Sequence, residues 1–364
     1  MAKSTRPSIR LVAERARVSV ATVSNVLNDK PTVSPEIVAR VRQTVKELGY
    51  VVDISASRLR SGQPRLAAVV VPDLANPMFA TFVSTLENAA RLDGFDLVVV
   101  SARNSTAEEA DRLLNLRAWR PAGLIIIPCD GRLLSRLPDS GLGPVVVADR
   151  IPDDPGFDLI AVDNGPASAA VAQAIEAAGH SECLVLGTSL GISNIRERWE
   201  GACSGCSHME LELMEVGLND TARMEQLEAR LRSPDRPRAL FSLDHGTTLI
   251  VYRMLAEIGL RIPEDIALAS FDETDWMELV SPGITAARQP VAEMADCAWT
   301  LLKHRIRGDA ITETQQHRRL RCIITTRGST ARPDARSMSA QTDTVDLERQ
   351  ENQVANTPTR GGRP

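Results

Sequence analysis

The chain has 364 residues, 43% of them hydrophobic and 24% charged, with a formal net charge of −5. That balance excludes a disordered or fibrous chain, and the length allows two or three folding units, each with its own core. No apolar run reaches the roughly 18–20 residues needed to cross a bilayer. The basic start Met1–Pro7 has no apolar segment behind it, and six scattered cysteines give no disulfide framework, so a cytoplasmic protein with no membrane partner is expected.

The charge divides unevenly. Residues 1–65 carry 12 Lys/Arg against 5 Asp/Glu, and the remainder 30 against 42. A basic module on an acidic body points to a nucleic-acid partner, because a basic face gains from counterion release at phosphates while the body is repelled. A chance cluster of solvated charges would look the same, so the residue pattern has to decide.

Three short helical patterns open the chain. Ser8 can cap a helix over residues 9–16 with Ile9, Val12, Ala13 and Ala16 on one face. Ser19 caps a second over 20–27, with Val23, Val26 and Leu27 inward, and Asn28-Asp29-Lys30-Pro31 breaks it. Ser34-Pro35 starts a third, with Ile37, Val38, Val41, Val45 and Leu48 inward and Gly49 as its stop. Two short helices joined by a tight turn and braced by a third make the helix-turn-helix plan. The outward residues of the second helix are small and polar, suited to close approach in a groove.

Beyond a polar stretch the character changes. Apolar runs at 66–71, 97–100, 124–127, 145–148, 183–186, 239–242 and 266–269 read as parallel strands covered on both faces. Helical patterns at 77–92, 106–119, 165–178, 195–208, 221–232 and 246–258 lie between most of them. This alternation predicts two parallel-sheet lobes, with Asp163-Asn164-Gly165 as a first crossing between them. Residues beyond about 332 are polar and read as a disordered tail. The expected division is a head at 1–52, a hinge or linker at 53–63, a core at 64–331 and a tail at 332–364.

The stretch Val18-Ser19-Val20-Ala21-Thr22-Val23-Ser24-Asn25-Val26-Leu27-Asn28 resembles the signature of the lac-repressor family of transcription regulators. Val33-Ser34-Pro35-Glu36, Glu47-Leu48-Gly49-Tyr50, Pro72-Asp73-Leu74-Ala75-Asn76-Pro77-Met78-Phe79, Asp149-Arg150 and Val162-Asp163-Asn164 follow in order. So do Ile262-Pro263-Glu264-Asp265-Ile266, Ser270-Phe271-Asp272, Arg288-Gln289-Pro290 and Arg327-Gly328-Ser329-Thr330, so that the resemblance spans about residues 8–332.

The resemblance implies a homodimeric regulator, most often a repressor. Its small all-α helix-turn-helix domain would precede an α/β core of two doubly wound parallel-sheet lobes, similar to a periplasmic binding protein. The second helix would lie in the major groove of a pseudo-palindromic DNA operator, with Val20, Ala21 and Asn25 at base edges. Val20 and Ala21 offer only apolar contact, matched to a thymine methyl, whereas Asn25 can pair with adenine through donor and acceptor together. Ser19, Thr22, Ser24 and Asn28 complete the expected interface, Thr22 and Ser24 at phosphates. In the hinge, Leu59 stands where the family wedges a leucine into the minor groove, beside Arg58, although Ser57-Arg58 reverses the usual order. A solvated linker is the other reading of that segment.

For a small-molecule effector, a sugar or sugar acid, the resemblance points to Arg198 and Asp272 as polar clamps, with Asn76, Phe79, Asp149, Asp163 and Trp276 around them. Phe79 fits a stacking ring or a core aromatic equally, and Trp276 a wall or a support. Leu243-Asp244 departs from the usual Asn-Asp, which removes a cleft donor.

Two other patterns point elsewhere. Gly187-Thr188-Ser189-Leu190-Gly191 fits the G-x-S-x-G of a hydrolase elbow, with Asp244 or Asp272 and His304 to complete a triad, but no glycine-rich oxyanion loop follows the first strand. Cys203-Ser204-Gly205-Cys206, with His208 nearby, has no second ligand pair for zinc and reads as a packed helix face. No phosphate-binding loop is present, and no cofactor, metal or enzymatic activity is expected.

Overall fold

The first helix forms because its cap and its stop are both written locally. In the computed structural model, which describes residues 8–27, 33–48, 65–154, 156–217, 220–308 and 315–332, Ser8 Oγ accepts the amide of Leu11 at the start of α1 (Ile9–Ala16). Arg17 turns left-handed (φ 54°) and donates its N–H back to Ala13 and Glu14. Helix α2 (Val20–Leu27) begins on Ser19, whose Oγ accepts the amide of Thr22 at 3.0 Å. Helix α3 (Pro35–Leu48) braces both, with Arg40 Nε donating to Ala16 O at 3.0 Å. Val12, Ala13, Ala16, Val23, Val26 and Val41 make a core confined to this head, which separates from the rest of the chain at Arg65. The hinge positions, with Arg58 and Leu59, Asn28 and the tail beyond 332 lie outside the described residues.

The core is built on two six-stranded sheets. Strands β1 (Leu66–Val71), β2 (Asp96–Ser101), β3 (Leu124–Ile126), β4 (Val145–Ala148), β5 (Asp158–Val162) and β11 (His317–Leu320) form lobe 1 in the order β11-β5-β4-β3-β1-β2. Strands β6 (Glu182–Gly187), β7 (Glu210–Glu215), β8 (Ala239–Ser242), β9 (Ala267–Phe271), β10 (Thr285–Arg288) and β12 (Ile323–Thr325) form lobe 2 in the order β12-β10-β9-β8-β6-β7. Every pairing is parallel except β12 against β10.

Continuous apolar runs follow from coverage on both faces. In β1, Ala67, Val69 and Val71 pack under α4 (Pro77–Leu92) and α11 (Val291–Arg307), while Ala68 and Val70 face α5 (Thr106–Leu116). In lobe 2, Val185 and Phe241 face α6 (Asn164–Ala177) and α7 (Ser193–Gly205). Leu184 and Leu240 on the opposite face meet α8 (Thr221–Arg232) and α9 (His245–Ile258).

Within the described residues the chain crosses between lobes three times: from β5 to α6 at Asp163-Asn164, from β10 to α11 at Gln289-Pro290, and from β11 to β12 at Arg321-Cys322. The structure corrects several expected bounds. The helix expected over 106–119 stops at Leu116 and tightens into a 3-10 turn, and that over 195–208 runs Ser193–Gly205. Strands β5, β7, β10, β11 and β12 and helix α11 have no counterpart among the apolar runs and helical patterns expected above.

Candidate functional site

On the head, Ser19, Val20 and Ala21 are exposed at the start of α2, and Thr22, Ser24 and Asn25 are half-buried. Val20 holds no core position: 38% of it is accessible, while Val23 and Val26 on the opposite face are buried. Exposure thus separates Val20 and Ala21 from the residues that hold the helix, with Asn25 half-buried between them. Ser19 and Thr22 are partly committed to each other, their hydroxyls lying 2.8 Å apart, so the cap itself fixes the first turn that Val20 and Ala21 project from.

In the core, two carboxylates take equivalent places in the two sheets. Asp149 follows β4 and Asp272 follows β9, each the third strand of its sheet counted from β11 and β12. Both residues are left-handed (φ 62° and 67°), a conformation that L-residues adopt at a cost and that turns the side chain out of the strand line. Asp149 is fully buried and Asp272 nearly so.

Arg198 reaches this place from α7 and is 1% exposed. It donates through Nη1 to Asp272 Oδ2 (3.0 Å) and Leu243 O (2.7 Å), and through Nε to Asn164 Oδ1 (2.9 Å). Its guanidinium carbon lies 3.8 Å from the centre of the Phe271 ring, a stacked cation–π contact. The unusual Leu243 therefore still serves the site, through its carbonyl rather than a side chain. Gln289 completes the carboxylate, donating to Asp272 Oδ1 at 2.5 Å.

The lobes meet here. Asn194 donates to Asp149 Oδ2 at 3.2 Å, and Ser193 Oγ accepts the amide of Ile151 at 2.7 Å. Burial pushes the Asp149 carboxyl up from its ordinary value, the positive charges of Arg198 and Arg150 pull it back, and Asp272 adds to the push. Burial likewise raises Asp244, which caps α9 through Thr247. Among the described residues, buried Arg198 Nη2, Asp149 Oδ1, Gln289 Oε1 and Ser242 Oγ have no hydrogen-bond partner. Unpaired buried polar atoms are costly, and these four lie at or just past the C-terminal ends of β4, β8 and β10 and on the facing helix α7. Grooves of about 490 Å³ beside β7 and about 90 Å³ beside α9 are lined by none of these residues.

The other expected cleft residues are employed differently. Phe79 is 3% exposed within the lobe 1 core, with the Arg150 guanidinium 5.8 Å over its ring, so the core alternative holds. Asn76 caps α4 by accepting from Met78 N at 2.9 Å. Asp163 accepts the amide of Cys322 at 2.8 Å and so braces the first crossing against the third. Trp276, which opens the short helix α10 (Trp276–Leu279), lies tilted by 60° against Tyr252 (5.1 Å between centres) on the α9 side of the sheet, opposite to Arg198, and its buried indole N–H has no partner among the described residues. Sequence reasoning did not count Asn164, Asn194 and Gln289 among the cleft residues, although Asn164 and Gln289 lie within named motifs at the crossings.

The two competing patterns dissolve. Ser189 Oγ accepts the amide of Gly191 at 3.1 Å, and a loop separates it from α7, unlike the direct strand-to-helix turn of a hydrolase elbow. Cys203 is exposed rather than packed, while Cys206 is half-buried against the lobe 2 core.

Two protein families match the chain. A family described as "Bacterial regulatory proteins, lacI family" matches residues 8–53, and one described as "Periplasmic binding protein-like domain" matches 159–330. The chain is 30% identical over 313 residues to the HTH-type transcriptional regulator KdgR of Bacillus subtilis (strain 168), covering 83% of this chain and 92% of that one. It superposes on the Lac repressor dimer bound to operator and the anti-inducer ONPF with a TM-score of 0.75, at 22% identity, over 90% of this chain and all of that one. A complex of the transcriptional regulator CelR with cellobiose gives 0.64, at 25% identity, over 89% and 100%.

Proposed function

The chain belongs to the lacI family of bacterial regulatory proteins, and from that premise we propose how its parts divide the work of a ligand-controlled repressor that acts as a dimer in the cytoplasm. Helix α2 enters the major groove, where Val20 and Ala21 meet thymine methyls and Asn25 pairs with adenine. Thr22 and Ser24 fix the head on phosphates, with Ser19 and Asn28 completing the interface. Leu59 wedges the minor groove beside Arg58. Two heads related by a two-fold axis then read a pseudo-palindromic operator.

Arg198, Asp272 and Asp149 hold a sugar or sugar acid between the lobes. The observation that carries this is the buried Arg198–Asp272 pair, 3.0 Å apart, with Arg198 Nη2 and, across the lobes, Asp149 Oδ1 both unpartnered. A guanidinium fork and carboxylate oxygens are the donor and acceptor set that adjacent hydroxyls and a carboxylate satisfy. A ligand seated there binds both lobes at once, so its differential affinity for one lobe arrangement shifts DNA affinity by linkage.

The test begins with the full chain and a random duplex library. Selection should enrich a pseudo-palindrome, and its affinity should change when sugars or sugar acids are added. Enrichment of no sequence over random competitor would overturn the reading.

A further inference from the structure

The residues that clamp the cleft are themselves held by residues at the chain's crossings between lobes. At the first crossing Asn164 is fully buried, and both ends of its amide are used. Its Oδ1 accepts from Arg198 Nε (2.9 Å), and its Nδ2 donates to Glu197 Oε2 (3.0 Å). Glu197, on α7 of lobe 2, accepts both arms of Arg319 on β11 of lobe 1, at 2.7 and 2.9 Å. Arg319 also donates to Val162 O at the end of β5 (3.3 Å), just before the first crossing, and itself stands just before the third.

We propose that Arg319–Glu197–Asn164 is a relay through which whatever engages Arg198 in the cleft sets how tightly the two lobes are tied at their crossings. The proposal rests on the reading of the cleft as the effector site. Asn164 and Glu197 act as positioning residues, reaching the ligand only through Arg198. The amide of Asn164 is planar and hydrogen-bonded at both ends, so a shift of Arg198 toward a ligand either drags Glu197 or breaks a buried hydrogen bond. The fork of Arg319 on the Glu197 carboxylate is bidentate and therefore directional. Its side chain is 45% exposed and that of Glu197 25%, so solvent weakens the pair. A tie of modest strength suits a switch, because it biases two lobe arrangements without locking one.

The full chain tests this as parent, Glu197→Gln, Arg319→Gln and Arg319→Lys, all at half-exposed positions that leave the cores intact. Hydrogen exchange read by mass spectrometry should rise about threefold or more over segments 160–166 and 317–324 in the two Gln variants. Arg319→Lys, which keeps the charge and loses the fork, should fall between them and the parent. Exchange in α8, outside the relay, should not change. Crossing segments that exchange as in the parent, or a rise spread equally to α8, would overturn the relay.

A second arm titrates parent and Glu197→Gln with D-gluconate, D-ribose and cellobiose while following Tm. A probe that stabilises the parent should bind Glu197→Gln about threefold more weakly, although Glu197 makes no contact with it. Equal affinity would also overturn the proposal. If no probe stabilises the parent while the exchange pattern holds, the relay stands and the sugar reading of the cleft falls.

Discussion

Asn194 on α7 of lobe 2 donates its amide to Oδ2 of Asp149 in lobe 1 at 3.2 Å, so a fully buried carboxylate faces a neutral partner across the lobe boundary. An amide answers a carboxylate less well than a cation does, and its other oxygen has no partner among the described residues. The energetic consequence is a carboxyl whose proton is held more tightly in the folded chain than in the unfolded one.

That relationship gives a pH dependence with a definite sign. Because the folded Asp149 is raised above its ordinary value of 3.8, the folded state binds the extra proton between the two values. Stability contributed by this group is therefore lost as pH rises from about 3.8 through the raised value, and the loss levels off above it. Asp149→Asn removes the term. The Tm of the variant minus that of the parent should be most positive at neutral pH and shrink as the pH is lowered toward 4. Carboxylates held below their ordinary values, such as Asp130 and Glu273, work in the opposite direction but are common to both chains and cancel. A difference that grows on acidification would show that Asn194 and the two arginines outweigh burial.

Arg198 belongs to the core unit and not to the head. Arg198→Met keeps most of the volume and removes the guanidinium, leaving Asp272 buried with only Gln289. Breaking a buried pair from one side costs about 3–5 kcal/mol, so the core should melt at a clearly lower temperature. Operator selectivity should survive, because the core of the head contains no residue beyond Leu48. Response to any ligand that acts on the parent should disappear. Thermal denaturation and operator binding measured side by side check both; loss of base preference together with core stability would contradict the separation.

In the proposed function Asn25 reads an adenine. Asn25→Ala should lose about 1–3 kcal/mol of discrimination at a single operator base pair while preferences elsewhere persist. Binding to a set of single-base operator variants measures this. Uniform weakening on every duplex would make Asn25 a phosphate contact instead.

Legibility of the fold followed where the hydrophobic signal was strong. The head could be drawn from Ser8, Ser19 and the Ser34-Pro35 pair, because caps and inward apolar faces are local properties. Strands β1, β3 and β4 announced themselves as apolar runs covered on both sides. Strand β7 did not: Glu210 to Glu215 alternates Glu with Leu and Met, the pattern of an edge strand with one paired side and a wet face. Strand β11, His-Arg-Arg-Leu, is likewise an edge and nearly all polar. Arg198 and Asp272 were legible from motifs, but the partners around them were not, since Asn164 lies 34 residues from Arg198 and Gln289 17 from Asp272. Phe79 and Trp276 drew attention as aromatics beside polar residues; Phe79 lies in the lobe 1 core and Trp276 packs on the opposite face of lobe 2 from Arg198.

Two neighbours in the hinge should separate by mechanism. A wedge gains affinity by unstacking a base step and bending the duplex, which releases no counterion in itself. An arginine on a phosphate releases one. Leu59→Ala should therefore weaken operator binding with an unchanged salt slope, whereas Arg58→Ala should lower the slope by about one unit in log affinity against log salt. Neither should alter the Tm of the core, whose hydrophobic clusters begin at Ala67. Operator titrations from 50 to 200 mM salt, the range over which roughly 10³–10⁵ of affinity is lost for 6–10 phosphate contacts, resolve the two slopes. If the effects are exchanged, with Leu59→Ala flattening the slope and Arg58→Ala leaving it alone, the reversed Ser57-Arg58 order has moved the wedge off Leu59.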